Sequence, residues 1–313
     1  LFTDMDRIIL HHYPASPVSE KVRTGLGLKQ LTWHSVEQNR LPDRPELFAM
    51  TGGYRRIPVM QIGADMYCDT QCIFSELEKR FPEPTFFPNQ GSGLPFALSR
   101  WTDGPLFDLA LRVAFAPVAE SLPPALVSDR ARLYLGPTGN FAEEAEDLPH
   151  TLAQLRPQLG WLEKRFETGR PYVLGDAPGL PDLLAWFIVW FISERYASAE
   201  EFLSEFPLLN AWAVRMKAVG HGYPTPMSPK DALDIAKDAL PVGEEQSDSR
   251  DPQGIQPGMN ACISPVTDSG ETPIKGQVRS VSKESISLTI NNNQCGEMAV
   301  HFPRVGYRLT LID

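Results

Sequence analysis

The feature that most constrains the fold is an unbroken apolar run, LLAWFIVWFI, at residues 183–192. The run is about half as long as the ~20 residues that a helix needs to cross a bilayer, so it predicts a buried core helix. Amphipathic or apolar runs on either side of it predict further helices. These runs lie at residues 94–118, 124–135, 148–167 and 207–219. Residues 92–224 are therefore predicted to form an all-α domain.

The segment before this domain alternates between strand and helix patterns. Short apolar or alternating runs predict strands, and apolar residues at helical spacing predict helices. The order β-α-β-(α)-β-β-α predicts a compact α/β domain over residues 1–91. The predicted strands lie at residues 8–11, 31–36, 57–62 and 66–68, the helices at residues 18–30 and 69–81, and a loop with a helical turn at residues 37–48.

The last part of the chain changes character again. Residues 229–240 predict one more helix, and the polar, proline-containing stretch 241–256 predicts a linker. Five short strand patterns then follow, separated by turn signals such as Asp268 to Gly270. Residues 225–313 are thus predicted to be a linker and a small all-β barrel or sandwich. The strand patterns lie at residues 259–266, 276–281, 285–290, 298–302 and 307–312.

The charge and the cysteine content restrict the classes of partner and the cellular compartment that we expect. The chain has 29 Lys and Arg against 39 Asp and Glu, a net charge of −10. It has no basic excess with which to hold a phosphate backbone or an anionic membrane, so we expect neither nucleic acid nor a membrane as partner. Residues 1–10 carry acids where a secretory signal carries bases. The four cysteines are scattered and form no CxxC pair, so they do not predict a disulfide framework. We therefore expect the protein to lie in the reducing cytoplasm.

Three features of the α/β segment point to one chemical site. Ser16, followed by proline, is typical of a helix N-cap, and a helix N-terminus attracts anions such as a thiolate. Ile57-Pro58 stands at the start of the strand predicted at residues 57–62, where a proline is unfavourable for ladder pairing, which indicates a special turn with a cis peptide bond. Asp69-Thr70 places a carboxylate and a hydroxyl at a second helix N-terminus. These three motifs in this order along one chain are much less common than any one of the motifs alone.

This combination resembles the glutathione transferase superfamily. The segment SPVSEKVR, residues 16–23, is similar to the active-site turn of the serine and cysteine classes, closest to the zeta and omega patterns. The resemblance covers about residues 8–220 and implies a thioredoxin-like domain followed by an all-α domain. The segment GDAPGLPD, residues 175–182, is similar to the one before the family's buried sixth helix. This similarity implies that Asp182 is the structural N-cap of that helix.

The resemblance also implies an activity and its residues. Ser16 matches the catalytic position and would hydrogen-bond the glutathione thiolate. Ile57 and Pro58 would align the peptide, and Asp69 and Thr70 would hold the γ-glutamyl end, with Asp69 a shorter acid than the family's glutamate. The implied function is that of a glutathione-dependent transferase or isomerase. It would activate the thiol of glutathione, its co-substrate, as a thiolate that attacks a small electrophile, and it would use no metal. A homodimer is implied as well.

Alternatives to this assignment stay open. Tyr13 or Ser19, rather than Ser16, could donate the hydrogen bond to the thiolate. The chain could also be a catalytically silent binding or scaffold protein that uses its C-terminal β region for an interaction.

Other candidate residues have simpler interpretations. Cys68 and Cys72 are spaced i, i+4 but lack a third ligand nearby, so they predict small buried residues rather than a metal site. Arg55-Arg56 could meet a glutathione carboxylate or be an exposed basic pair.

Overall fold

The structure is a computed structural model that describes residues 7–88, 91–243 and 245–312. Residues 1–6, which carry most of the argument against a secretory signal, lie outside the described residues. The chain divides into two compact units. The first contains the residues up to Ser19, Thr32–Leu77 and the residues from Tyr223 onward, and the second contains Glu20–Leu31 and Glu78–Gly222.

The elements follow the chain in this order. The strands are β1 (Ile9–His12), β2 (Thr32–Glu37), β3 (Val59–Ile62), β4 (Asp65–Cys68), β5 (Tyr223–Pro226), β6 (Asn260–Pro265), β7 (Ile274–Val281), β8 (Ser285–Asn292), β9 (Gly296–Pro303) and β10 (Tyr307–Leu311). The helices are α1 (Pro17–Leu28), α2 (Pro45–Thr51), α3 (Thr70–Arg80), α4 (Gly93–Trp101), α5 (Phe107–Phe115), α6 (Pro124–Tyr134), α7 (Phe141–Glu146), α8 (Leu148–Phe166), α9 (Leu180–Arg195), α10 (Ala199–Leu203), α11 (Pro207–Val219) and α12 (Pro229–Lys237).

The N-terminal part of the first unit has the predicted thioredoxin-like order. β1 lies between β2, to which it is parallel, and β3, to which it is antiparallel. β3 returns through a tight turn to pair with β4. Gly63 in this turn has a φ of 58°, a conformation that glycine adopts without steric cost. The α/β prediction for this region is confirmed.

The predicted C-terminal strands are also confirmed, and they continue the N-terminal sheet. β9 lies parallel to β4, with Met66 beside Val300. The sheet has ten strands in the order β10-β6-β7-β8-β9-β4-β3-β1-β2-β5. The sequence did not predict this connection, because the alternation of a strand sets which face is buried and not which strand lies beside it. β9 therefore covers the edge of β4 that would otherwise be unpaired.

The hydrophobic core of this unit draws on both ends of the chain. Leu47 and Met50 of α2 pack in one cluster with residues of β4 and of the C-terminal strands, among them Met66, Leu288 and Val300. All five side chains are fully buried. The C-terminal strands are thus part of the folded core of the first unit.

Strand β5 and helix α12 complete the other end of the sheet. β5 pairs in parallel with β2, and it was missed in the sequence because Pro224 and Pro226 argue against a strand. Its place at the sheet edge tolerates both prolines, since one side of an edge strand needs no ladder hydrogen bonds. α12 agrees with the predicted helix, and its Ala232 packs against Ile9 and Val36.

A row of hydrogen-bonded polar side chains is buried at β1 and its neighbours. The side-chain amide of Gln38 lies 3.1 Å from His11 Nδ1, and His11 Nε2 lies 2.9 Å from Gln61 Oε1. Gln61 Nε2 in turn donates to the carbonyl of Ala232 at 2.8 Å. Burial lowers the pKa of His11 from 6.5 to about 4, against the opposing effect of its bond to Gln61. His11 is therefore a neutral structural histidine at pH 7.

His11 should make stability depend on pH. Its folded pKa lies below the unfolded value, so the unfolded chain takes up the proton first as pH falls, and stability is lost between about pH 6.5 and about pH 4. From pH 7 to pH 5 the expected loss is about 2 kcal/mol. Urea unfolding of the wild type and of His11→Gln at both pH values measures it, because groups common to both proteins cancel. An identical pH dependence in the two proteins would contradict the assignment.

The region predicted to be all-α is helical from α4 to α11, but the first of its predicted helices is interrupted. The pattern predicts one helix over residues 94–118, whereas α4 and α5 are separated by a kink within Thr102–Leu106. Gly104 has non-helical backbone angles there, and Pro105 cannot donate a backbone hydrogen bond. α7 and α10, which are six and five residues long, were not predicted. Within the described ranges, the helices fall short of the length and apolar character that a bilayer-spanning segment needs.

The apolar run forms the core helix α9, which begins earlier than predicted. The helix starts at Leu180, so Gly179 is its N-cap, and Asp182 acts from the third helical position rather than as the N-cap itself. The Asp182 carboxylate accepts from the amides of Val173 at 2.9 Å and Gly179 at 3.1 Å, and from Trp212 Nε1 at 2.8 Å. Burial raises the pKa of Asp182 to about 6, although these bonds oppose the rise.

Candidate functional site

The register of the sheet places the end of β1, the start of β3 and the end of β4 on the same side of the sheet. His11 near the end of β1 lies beside Val59 at the start of β3, and Val59 lies beside Cys68 at the end of β4. β3 is antiparallel to both neighbours, so the loop after β1, the turn before β3 and the turn after β4 leave the sheet on the same side. These segments contain the three candidate motifs.

The first motif is Ser16, immediately before α1. Its Oγ accepts a hydrogen bond from the amide of Ser19 at 3.1 Å, as an N-cap does. This bond uses a lone pair and leaves the hydroxyl proton for donation to an anion at the helix N-terminus. Ser16 is only 2 % exposed. The hydroxyl of Ser19 is also buried and has no hydrogen-bond partner among the residues that the structure describes.

The second motif is the turn at Ile57-Pro58. The peptide bond between them is cis, as the sequence indicated, and β3 begins at the next residue. Arg56 is not the exposed basic residue that the simpler interpretation predicts. Its guanidinium is paired with Glu271, with Nη2 2.5 Å and Nε 2.8 Å from the carboxylate oxygens. This ion pair ties the turn to the segment before β7.

The third motif is Asp69-Thr70 at the start of α3. Asp69 has a φ of 75°, which is uncommon for a residue other than glycine. Its Oδ1 accepts from the amide of Gln71 at 2.9 Å and its carbonyl from the amide of Ile73 at 3.1 Å. Thr70 is the first residue of the helix and is buried. The motif therefore places a carboxylate and a hydroxyl at a helix N-terminus, where they can complement an ammonium and a carboxylate.

One contact to Asp69 comes from the C-terminal strands. The hydroxyl of Tyr307, the first residue of β10, lies 3.3 Å from Asp69 Oδ2. It also lies 2.8 Å from the hydroxyl of Tyr54. The sequence predicted a role for neither tyrosine nor for Glu271. No local pattern indicates that Tyr307 lies against Asp69 or that Glu271 lies against Arg56.

Cys68 and Cys72 flank the third motif, Asp69-Thr70, in the sequence. Within the described ranges, no three of the His, Cys, Asp and Glu side chains are grouped so that they could hold a metal ion. Cys68 and Cys72 are buried and free, as their small size and spacing suggested. Burial raises the pKa of both thiols well above the ordinary value, so neither is poised to act as a thiolate.

Two family models match the sequence. The N-terminal domain of glutathione S-transferase matches residues 10–85, and the C-terminal domain of glutathione S-transferase matches residues 108–218. No curated protein is a significant match.

One solved structure extends this similarity to 98 % of the chain. A GST-like protein from Pseudomonas syringae is 30 % identical, with a TM-score of 0.80, over 98 % of this chain and 100 % of that one. FzlA from C. crescentus is 20 % identical, with a TM-score of 0.51, over 68 % of this chain and 88 % of that one. Glutathione transferase GSTFuA3 from Phanerochaete chrysosporium is 19 % identical, with a TM-score of 0.55, over 69 % and 98 %. The last two share the fold, whereas the first also matches nearly all of the C-terminal β region.

Proposed function

The chain belongs to the glutathione transferase superfamily, and we propose that it binds glutathione in its first unit and activates the thiol for attack on a small electrophile. The observation that carries this proposal is the shared sheet edge, where the segments holding Ser16, Pro58 and Asp69 leave the sheet together. A tripeptide needs anchors for its amino-acid end, its backbone and its sulfur, and the three motifs supply one of each.

The sulfur end of the site would act by electrostatics. The free thiol has a pKa near ~8.5 and must ionise to be a strong nucleophile at neutral pH. Ser16 would donate its hydroxyl proton to the thiolate, and the dipole of α1 would add to the stabilisation. The bond from the Ser19 amide to Ser16 Oγ supports this role, because it restricts the direction of the hydroxyl. Each unit by which the site lowers the thiol pKa corresponds to ~1.4 kcal/mol.

The other end of the peptide would be held by Asp69 and Thr70. The γ-glutamyl group carries an ammonium and a carboxylate on one carbon. Asp69 would accept from the ammonium, and the Thr70 hydroxyl with the N-terminus of α3 would bind the carboxylate. Ile57, before the cis-proline, would pair its backbone with the cysteinyl residue of the peptide.

Glutathione should stabilise the protein against heat. A ligand at 100 times its Kd stabilises the folded state by about 2.7 kcal/mol. A thermal-shift titration with glutathione should therefore raise the melting temperature of the wild type by several degrees. Asp69→Asn should need at least ~10-fold more glutathione for the same rise, since the ammonium loses its charged partner. A wild-type melting temperature unchanged at millimolar glutathione would contradict the proposal and would agree with a silent scaffold protein.

Two further properties belong to this proposal. The four cysteines are all free, which supports a reducing compartment such as the cytoplasm. We also propose a homodimer, as is usual in the family. The electrophile that we propose is a small reactive molecule.

A further inference from the structure

The C-terminal β region reaches the proposed glutathione site through Tyr307. A carboxylate only accepts hydrogen bonds, so the Tyr307 hydroxyl donates to Asp69 Oδ2, and the Tyr54 hydroxyl must then donate to Tyr307. The two tyrosines therefore form an ordered chain that ends on the carboxylate of Asp69. Burial and the nearby negative charge of Asp69 raise the pKa of Tyr307 well above its ordinary value, so it keeps its proton at neutral pH.

The surroundings hold this chain in place. The ring of Phe302 in β9 packs against Tyr54 at 5.8 Å and against Tyr307 at 5.4 Å between ring centroids. The backbone of Tyr307 pairs with Pro265 of β6, so its position is set by the sheet. Because these contacts already restrict Tyr307, its hydroxyl can donate to Asp69 with little further loss of side-chain entropy.

We propose that Tyr307 is a positioning residue that holds the Asp69 carboxylate for the γ-glutamyl ammonium, which makes the C-terminal β region part of the glutathione site. This inference rests on the proposed function. Asp69 is one methylene shorter than the glutamate that the family carries at this position, so its orientation matters more for reach. An ionised carboxylate can accept at about four positions, and accepting from Tyr307 is compatible with accepting from the ligand.

The contact of 3.3 Å is longer than the usual distance of about 2.7–2.8 Å between a hydroxyl and its acceptor oxygen. Polar contacts of a site are often long before the ligand binds and shorten in the complex. We therefore expect the effect of Tyr307 on glutathione binding to be moderate and to depend on Asp69.

A double-mutant cycle with glutathione tests this inference. Calorimetric titration of the full chain compares the wild type, Tyr307→Phe, Asp69→Asn and the double variant. Tyr307→Phe should raise the Kd for glutathione ~5-fold and should raise it no further when Asp69 is already asparagine. In turnover assays KM for glutathione should rise by the same factor, while kcat at saturating glutathione should change by less than ~2-fold.

Tyr54→Phe is a second, weaker variant, because it keeps the bond from Tyr307 to Asp69 and removes only the hydroxyl that donates to Tyr307. It should raise the Kd by ~2-fold, again only while Asp69 is present. If Tyr307→Phe does not fold, an unchanged Kd in Tyr54→Phe would overturn the inference. An unchanged Kd in Tyr307→Phe, or an equal rise with and without Asp69, would overturn the inference while wild-type binding upholds the proposed function. A wild type that does not bind glutathione would overturn both.

Discussion

Replacing Ser16 by alanine should lower glutathione-dependent turnover by ~10²-fold or more, because the thiolate loses its main hydrogen-bond donor. The loss should appear in kcat, and in kcat/KM, with a generic aryl halide as electrophile, and binding of glutathione should change little. Steady-state rates at pH 7 with saturating glutathione measure the effect. Turnover within ~3-fold of the wild type would remove Ser16 from this role.

Matched variants separate the hydroxyl from the helix cap. Ser16→Ala also removes the bond to the Ser19 amide, which costs about 1 kcal/mol of stability. Ser16→Gly loses the hydroxyl but only a few tenths of a kcal/mol of cap stability, and it should lose as much turnover as the alanine variant. Ser19→Ala and Tyr13→Phe test the alternative donors. A ~10²-fold loss in either of these, with Ser16→Ala active, would move the assignment to that residue.

Asp182→Ala should destabilise the second unit by about 4 kcal/mol. Three buried donors, the amides of Val173 and Gly179 and the indole of Trp212, lose their acceptor. Each unsatisfied buried donor costs about 1–3 kcal/mol. Urea unfolding followed by tryptophan fluorescence should show the loss directly.

An exposed aspartate on the same unit serves as the control for Asp182. Asp176 pairs with Arg170, and its side chain is 65 % exposed, so Asp176→Ala should change the free energy of unfolding by less than about 0.5 kcal/mol. Asp182→Asn keeps one acceptor oxygen and should lie between the two. A wild-type unfolding curve for Asp182→Ala would show that the three bonds contribute little.

Much of the fold could be predicted because its elements are local. The alternating and helical spacing of apolar residues predicted β1, β3 and α9, and turn signals separated the C-terminal strands. The elements that the sequence does not predict have only weak local signals. α7 and α10 are too short for a periodic pattern, and β5 contains two prolines. The break at Gly104 came from a backbone conformation that the apolar pattern of residues 94–118 does not reveal.

The connection between the two ends of the chain could not be predicted. Met66 and Val300 become neighbours only because β9 pairs with β4, and nothing in either strand specifies the other. Tyr307 and Glu271 likewise contact residues far away in the sequence, Asp69 and Arg56. The three motifs of the candidate site were visible because each has a local signal, whereas the residues that support them come from distant sequence.

The central claim is that bound glutathione is ionised beside Ser16, and the ultraviolet absorbance of the thiolate measures this directly. At pH 7 only a few per cent of a thiol with a pKa near ~8.5 is ionised. Titration of the wild type with glutathione should give a thiolate signal close to one per bound ligand, and Ser16→Ala should bind glutathione with little of that signal. A bound glutathione whose sulfur stays protonated as in free solution, or a wild type that binds none at millimolar concentration, would contradict the account.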